Sequence, residues 1–183
     1  MLREAAGDVA IVAATASTLD AEDRGGEAIA TLLGVKAPAA WPPEHNDADT
    51  RAWFRAMLTA HPDDPGCGAW YLIAADRLCG TCGYKGPPDA AGVVEIGYSV
   101  LPGDQRRGYA SAGVHLLVAR AFRDPRVTEV AAETLPSLPP SQGVLLKCGF
   151  ARVGSHHDEE VGEVWRYALS RMDYARSTRV PLA

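Results

Sequence analysis

No apolar run in this chain approaches the roughly 20 residues that a membrane-spanning helix needs. Basic charge is not in excess either. Lys and Arg total 18 against 23 Asp and Glu, a formal net charge of −5. Outside one loop the arginines are dispersed, so neither nucleic acid nor a membrane surface is expected as a partner. No repeat or low-complexity segment is present. Neither G-x-x-x-x-G-K-[ST] nor G-x-G-x-x-G occurs, which disfavours a nucleotide-binding domain of either type. Cysteine is scarce: Cys67, Cys79, Cys82 and Cys148. Cys79-Gly-Thr-Cys82 is a C-x-x-C without a second ligand pair or a thioredoxin-like helix start. It sits in a strand-like run, Arg77–Lys85, where residues three apart point to opposite faces. The expectation is four free thiols, no metal and a reducing, cytoplasmic compartment. Val9–Ala16 is short, follows an acidic start and lacks a basic flank, so it reads as a strand and not a secretory signal.

What remains is a globular composition. At 183 residues with 47% hydrophobic content, the chain is expected to form one domain over 1–183. The core spans about 9–170 and 171–183 is a loose tail. Val9–Ala14 reads as a strand. Leu19–Leu33 is helical, broken at Gly25-Gly26 and closed by Gly34. Asn46 or Asp47 caps a helix running to about His61. Trp70–Ala74 and Leu78–Lys85 form a hairpin. Val127–Thr134 is a strand and Ser141–Cys148 a helix. Two short strands near Ala151–Gly154 and Val164–Leu169 flank an acidic, His-bearing loop, Ser155–Gly162. This order gives an α/β (α+β) fold, a mixed sheet with helices on both faces.

Residues 92–123 carry the most information. Val94, Ile96, Tyr98 and Val100 make one strand face apolar; Val93, Glu95, Gly97 and Ser99 leave the other thin and partly polar. The basic loop Gln105-Arg106-Arg107-Gly108-Tyr109-Ala110 follows. After it, Ala110, Val114, Leu117, Val118 and Ala121 recur at helical spacing. Arginines and a glycine at a helix start suit phosphate, because free N–H groups and the positive dipole end face the anion.

This loop fits the signature Q/R-x-x-G-x-G/A, and the chain resembles the GCN5-related N-acetyltransferases. It is most similar to the small bacterial members that resemble ribosomal-protein alanine acetyltransferases. Ser141-Gln-Gly-Val-Leu-Leu-Lys-Cys-Gly149-Phe150 resembles the family's late helix and its closing Gly-Phe. The resemblance implies a splayed sheet of about seven strands and acetyl-CoA as co-substrate. It also implies transfer to a small-molecule or peptide amine, and it leaves room for a homodimer. Arg106, Arg107, Gly108, Tyr109, Ala110 and Ser111, with Gln105, would hold the pyrophosphate. The backbone of Tyr98, Ser99, Val100 and Leu101 would pair with the pantetheine arm. Ser141 would contact the cofactor. Glu95 would take or relay the proton of the attacking amine.

One family feature is missing. The tyrosine that many members place in the late helix to protonate the leaving thiolate is Leu145 here, and a frequent Asn is Leu138. His115, beside Ser111 on the polar side of its helix, and Tyr167 are substitutes. A different reading follows from this gap: a CoA-binding sensor or interaction module with little activity. Trp41, Trp53 and Phe54 lie in the segment that usually covers the acceptor. His156 and His157 are adjacent, point different ways and make no metal site alone.

Overall fold

The computed structural model describes residues 1–179. Its sheet has eight strands in the order β1-β2-β3-β4-β5-β6-β8-β7. The strands are β1 (Arg3–Ala6), β2 (Val9–Ala13), β3 (Ala69–Ala74), β4 (Arg77–Tyr84), β5 (Val93–Val100), β6 (Glu129–Thr134), β7 (Ala151–Asp158) and β8 (Gly162–Ser170). All adjacent pairs are antiparallel except β5 and β6. The sequence implied about seven strands; the eighth is β1. Its four residues, Arg-Glu-Ala-Ala, are mostly exposed and carry no alternation. They are held by pairing with β2.

Helices cover both faces. On one lies α4 (Tyr109–Ala121), whose Val114, Leu117 and Val118 pack on Ile11, Leu72, Val94 and Ile96. On the other lie α1 (Ala16–Asp23) and α2 (Gly26–Leu33), whose Leu19 and Ile29 pack on Tyr71 and Leu78. Thr15 opens α1 with a capping box. The helical run breaks at Gly25, and Gly34 closes α2 in the left-handed region at φ 69°. In α3 (Ala48–Ala60), Asp47 is the N-cap and accepts from the Thr50 N–H at 2.9 Å. Finally, α5 (Pro139–Lys147) starts at a proline, whose missing N–H has no helical partner to lose.

Three local expectations change. His156 and His157 lie in β7, and the turn is only the tip held by Asp158, which accepts from the Glu160 and Val161 N–H groups. Of the loose tail expected at 171–183, residues 171–179 form a helix, α6, and 180–183 lie outside the described residues. The start of α6 is fixed by Arg171, which donates to the carbonyls of Phe122, Asp124 and Val127 in the turn between α4 and β6. Cys79 and Cys82 share one core cluster and not opposite faces. Leu72 pairs with Gly80 and Ile73 with Leu78, so Cys79 is the extra residue of a bulge that shifts the alternation.

All four cysteines are buried and free, and the described residues contain no cluster of metal-ligating side chains. Burial pushes the Cys79 thiol up to about 12 and the Cys148 thiol up to about 11. Cys67 and Cys82 are raised by the same cause. The native protein is therefore expected to resist thiol reagents at neutral pH, since the thiolate is the reactive form. Denaturation should release four titratable thiols. Stoichiometric zinc, or fewer than four thiols under denaturing conditions, would contradict this.

Candidate active site

The sheet opens where β5 and β6 part. Their parallel ladder runs from Val93 opposite Glu129 to Ile96 opposite Ala132, and stops there. Beyond it, β5 continues to Val100 paired only with β4. Backbone alternation decides which groups face the gap. The Lys85 N–H donates to the Glu95 carbonyl at 2.8 Å, and the Leu101 N–H donates to the Cys79 carbonyl at 2.9 Å. In an antiparallel ladder this directs Gly97 and Ser99 to β4 as well, and turns Tyr98 and Val100 outward. The Val100 carbonyl is covered by the Gln105 side-chain amide at 3.1 Å. Leu101 has both backbone groups engaged, because its carbonyl also accepts from Asp104. Tyr98 and the Val100 N–H are thus the backbone edge that an extended arm can pair with.

At the far end of β5 the chain makes a 3-10 turn, Pro102–Asp104, and then the basic loop. Arg106 and Gly108 both have positive φ, 62° and 83°. Gly108 is the N-cap of α4, with no side chain closing the helix end. The first-turn N–H groups of Tyr109, Ala110 and Ser111 therefore face outward, a cradle for an anion. Asp104, only 2% exposed, lies under this loop and pairs with Arg77 and, at 3.8 Å, with Arg107. No reading of the sequence singled out Asp104 or Arg77. Ser111 is buried, whereas His115, one turn further along the same side of α4, is exposed.

Between the parted strands lies a cleft of about 780 Å³. Tyr98, Ser99 and Ser141 line it, and Trp53 and Phe54 form part of its wall. The two aromatic rings pack at a tilt, with centroids 4.9 Å apart and planes at 59°. The loop residues 105–111 do not line the cleft; they follow the C-terminal end of β5, just past its last lining residue, Ser99. Ser141, in the first turn of α5, is tied across the gap. The Tyr98 hydroxyl lies 2.9 Å from its carbonyl and 3.0 Å from its Oγ. Burial pushes the Tyr98 phenol up to about 12, so it stays protonated near neutral pH and can donate. Leu145 is fully buried in the core, as is Tyr167 at 3% exposure. Neither the Leu145 position nor Tyr167 presents a proton donor to the cleft.

Glu95 sits on the polar face of β5, beside the cleft-lining Lys85. The Lys85 ammonium rests against Glu95 Oε1. That contact is one of charge only: the oxygen is enclosed and has no partner with hydrogen-bond angles. Trp41 does not line the cleft; it stands behind Glu22, to which its indole N–H donates at 2.9 Å. Glu22 does line the cleft and was not legible as a site residue. In sequence it is one acid in the middle of an Asp- and Glu-rich helix, with no feature to separate it from a solvated one.

The acetyltransferase (GNAT) domain model matches residues 20–151. A relative described as an uncharacterized N-acetyltransferase, YjdG of Bacillus subtilis, is 26% identical over 134 residues, covering 72% of this chain and 79% of that protein. Among solved structures, the RimL ribosomal L7/L12 alpha-N-protein acetyltransferase in complex with coenzyme A superposes with a TM-score of 0.69. It is 16% identical, with 90% of this chain and 95% of that one covered. The structure of AAC(6')-Ib in complex with ribostamycin and coenzyme A gives 0.67 at 18% identity, covering 96% and 100%. At these identities the two structures speak for the fold.

Proposed function

The chain belongs to the acetyltransferase (GNAT) family, and from that premise we propose that it moves the acetyl group of acetyl-CoA to a primary amine by direct attack in a ternary complex. The observation that carries this reading is the pairing of two features on one strand. The unpaired backbone edge at Tyr98 and Val100 leads directly into an open helix N-terminus at Gly108. A CoA molecule has a matching order of parts, an amide-bearing arm and then a pyrophosphate. Both features fit it: outward amides for the arm, and free N–H groups with Arg106 and Arg107 for the phosphates.

When bound, acetyl-CoA supplies an activated acyl group as a thioester. The chain's own residues do the rest. Glu95, on the polar face, takes the proton that the amine loses as its nitrogen bonds to the acyl carbon. Outward N–H groups of the splayed strand face the thioester carbonyl and stabilise charge that develops on its oxygen. The carbon–sulfur bond breaks, and the sulfur receives a proton from the hydroxyls at the gap, Ser141 and Tyr98, or from solvent. This assignment leaves Leu145 its observed role as a core side chain. Trp53 and Phe54 wall the acceptor side. The four buried thiols are consistent with a reducing, cytoplasmic setting. Among the described residues no helix is long and apolar enough to cross a membrane.

The test is a thermal-shift titration with acetyl-CoA, followed by CoA release on adding amines. Ligand at about 100 times its dissociation constant stabilises by about 2.7 kcal/mol. For a chain of this size that corresponds to a rise in Tm of about 5–10 °C. No shift at millimolar acetyl-CoA would sink the reading. A shift without CoA release on any amine would favour the sensor alternative.

A further inference from the structure

Resting on the acetyl-transfer reading, the geometry points to an acceptor that is a small polycation: an amine carrying at least one further ammonium group, held by a carboxylate wall in which Glu22 is the buried anchor. Glu22 is 5% exposed and lines the cleft. Its Oε1 accepts from the Trp41 indole N–H at 2.9 Å and the Asn46 amide at 2.6 Å; its Oε2 accepts from the Tyr71 hydroxyl at 2.8 Å. All three donors are neutral. The nearest guanidinium, on Arg51, is directed elsewhere, to Asp23 at 2.7 Å and to the Asn46 carbonyl at 2.7 Å. Buried charges are ordinarily paired with a charge of opposite sign. Here, among the described residues, no cationic side chain forms an ion pair with the carboxylate. Burial accordingly holds the Glu22 carboxyl above the ordinary carboxylate range, against the opposing effect of its three hydrogen bonds and of Arg51.

Pinning the 41–46 loop does not require that charge. A glutamine would satisfy the same partners: its carbonyl can accept from Trp41 and Asn46, and its amide can donate to a Tyr71 hydroxyl that has turned round. What the carboxylate adds is negative potential in the cleft wall.

The rest of the wall has the same sign. Glu44 and Asp49 line the cleft on the side of Glu22, and Glu133 and Asp158 line it on the side of β6 and β7. Against them stand one lysine, Lys85, which is occupied by Glu95, and two histidines. His156 lies 3.8 Å from Glu133 and His45 lies 3.7 Å from Glu44. A second observation, independent of charge, points to a ligand. Thr134, 6% exposed and in the cleft lining, has a side-chain oxygen with no hydrogen-bond partner. A hydroxyl left unsatisfied at the end of the parted strand β6 is a place for an amine N–H. Trp53, Phe54 and Val161 supply apolar wall between the charged groups, suited to the carbon skeleton that separates two ammonium groups. A cleft of about 780 Å³ has room for a molecule of that size.

Linear polyamines and aminosugars share this chemistry, and a panel separates them. CoA release by the whole protein would be measured with spermidine against butylamine, with neamine against glucosamine, and with a short peptide bearing a free N-terminus. The expected result is a kcat/KM at least about tenfold higher for the polycation than for its matched monoamine, in the linear or the aminosugar arm. The advantage should shrink as NaCl rises from about 20 to about 300 mM. Glu22→Gln should reduce the polycation-to-monoamine ratio at least about tenfold, through KM more than kcat. An acetyl-CoA thermal shift would show that this variant is folded. Because Glu22 is buried, Glu133→Gln at a more open position provides a second reading in the same direction. Equal kcat/KM for polycation and monoamine overturns the proposal. So does a ratio untouched by both variants, or a preference for the peptide, and each of these leaves acetyl transfer standing. No release with any amine overturns acetyl transfer, and the proposal with it.

Discussion

Gly108→Glu is expected to remove the acetyl-CoA thermal shift altogether from a protein that still folds. Gly108 has φ 83°, where a non-glycine residue is strained by about 1–2 kcal/mol. Space is not the obstacle, since a Cβ there would meet nothing within 4 Å. Two effects must therefore be separated, backbone strain and charge. Gly108→Asn carries the first at its smallest, because asparagine tolerates the left-handed region. It should keep a reduced shift. Glutamate adds a carboxylate at the N-cap of α4, where the open N–H groups and the helix dipole favour it. That interaction offsets part of the strain and fills the anion cradle with the protein's own charge. The shift of about 5–10 °C expected for the unmodified chain should then fall to none. An unchanged acetyl-CoA affinity in Gly108→Glu would mean that the phosphates lie elsewhere.

Glu95→Gln should lower the acetylation rate by about 10² to 10⁴, the usual worth of a general base. Glutamine keeps the shape of the side chain and its place on β5, so the acetyl-CoA shift should survive. The loss should be largest at low pH and shrink as pH rises and more of the amine is already neutral. Lys85→Met separates the base from its neighbour: it removes the ammonium at Glu95 Oε1 and leaves the carboxylate in place. If Glu95→Gln turns over the best amine at the original rate from about pH 6 to 9, Glu95 is not the base. The proton would then go to Glu133 or Asp158, two carboxylates that line the cleft.

Much of the fold was legible because its signals are local. The breaks at Gly25 and Gly34, the cap at Asp47 and the hairpin at Ala75-Asp76 each declare themselves within a few residues. The phosphate loop was legible for the same reason, as glycine and arginines stand directly before a helical repeat. What escaped depends on partners far away in sequence. β1 exists only through β2, and α6 only because Arg171 finds three carbonyls more than forty residues earlier. The bulge at Cys79 appears only in the register with β3. Glu22 is the extreme case. Its burial follows from Trp41, Asn46 and Tyr71, on a loop, a cap region and a strand that no spacing rule brings to one point. Leu145 was seen as a departure from the family pattern, but its full burial needed the packing of α5 on the core.

The strand order has a consequence for synthesis. β8 follows β7 in the chain yet lies between β7 and β6. On the ribosome β6 emerges first, and the hairpin that covers it comes only after α5 and β7 have been made. At ordinary elongation rates the outer edge of β6 stays bare for seconds. Its apolar residues Val130 and Ala132 are then bracketed by Glu129, Ala131 and Glu133. An open strand edge is a template for another chain, and charged side chains are a common guard against that. Until Arg166 arrives to meet Glu129, the task of keeping nascent copies apart falls to those two glutamates.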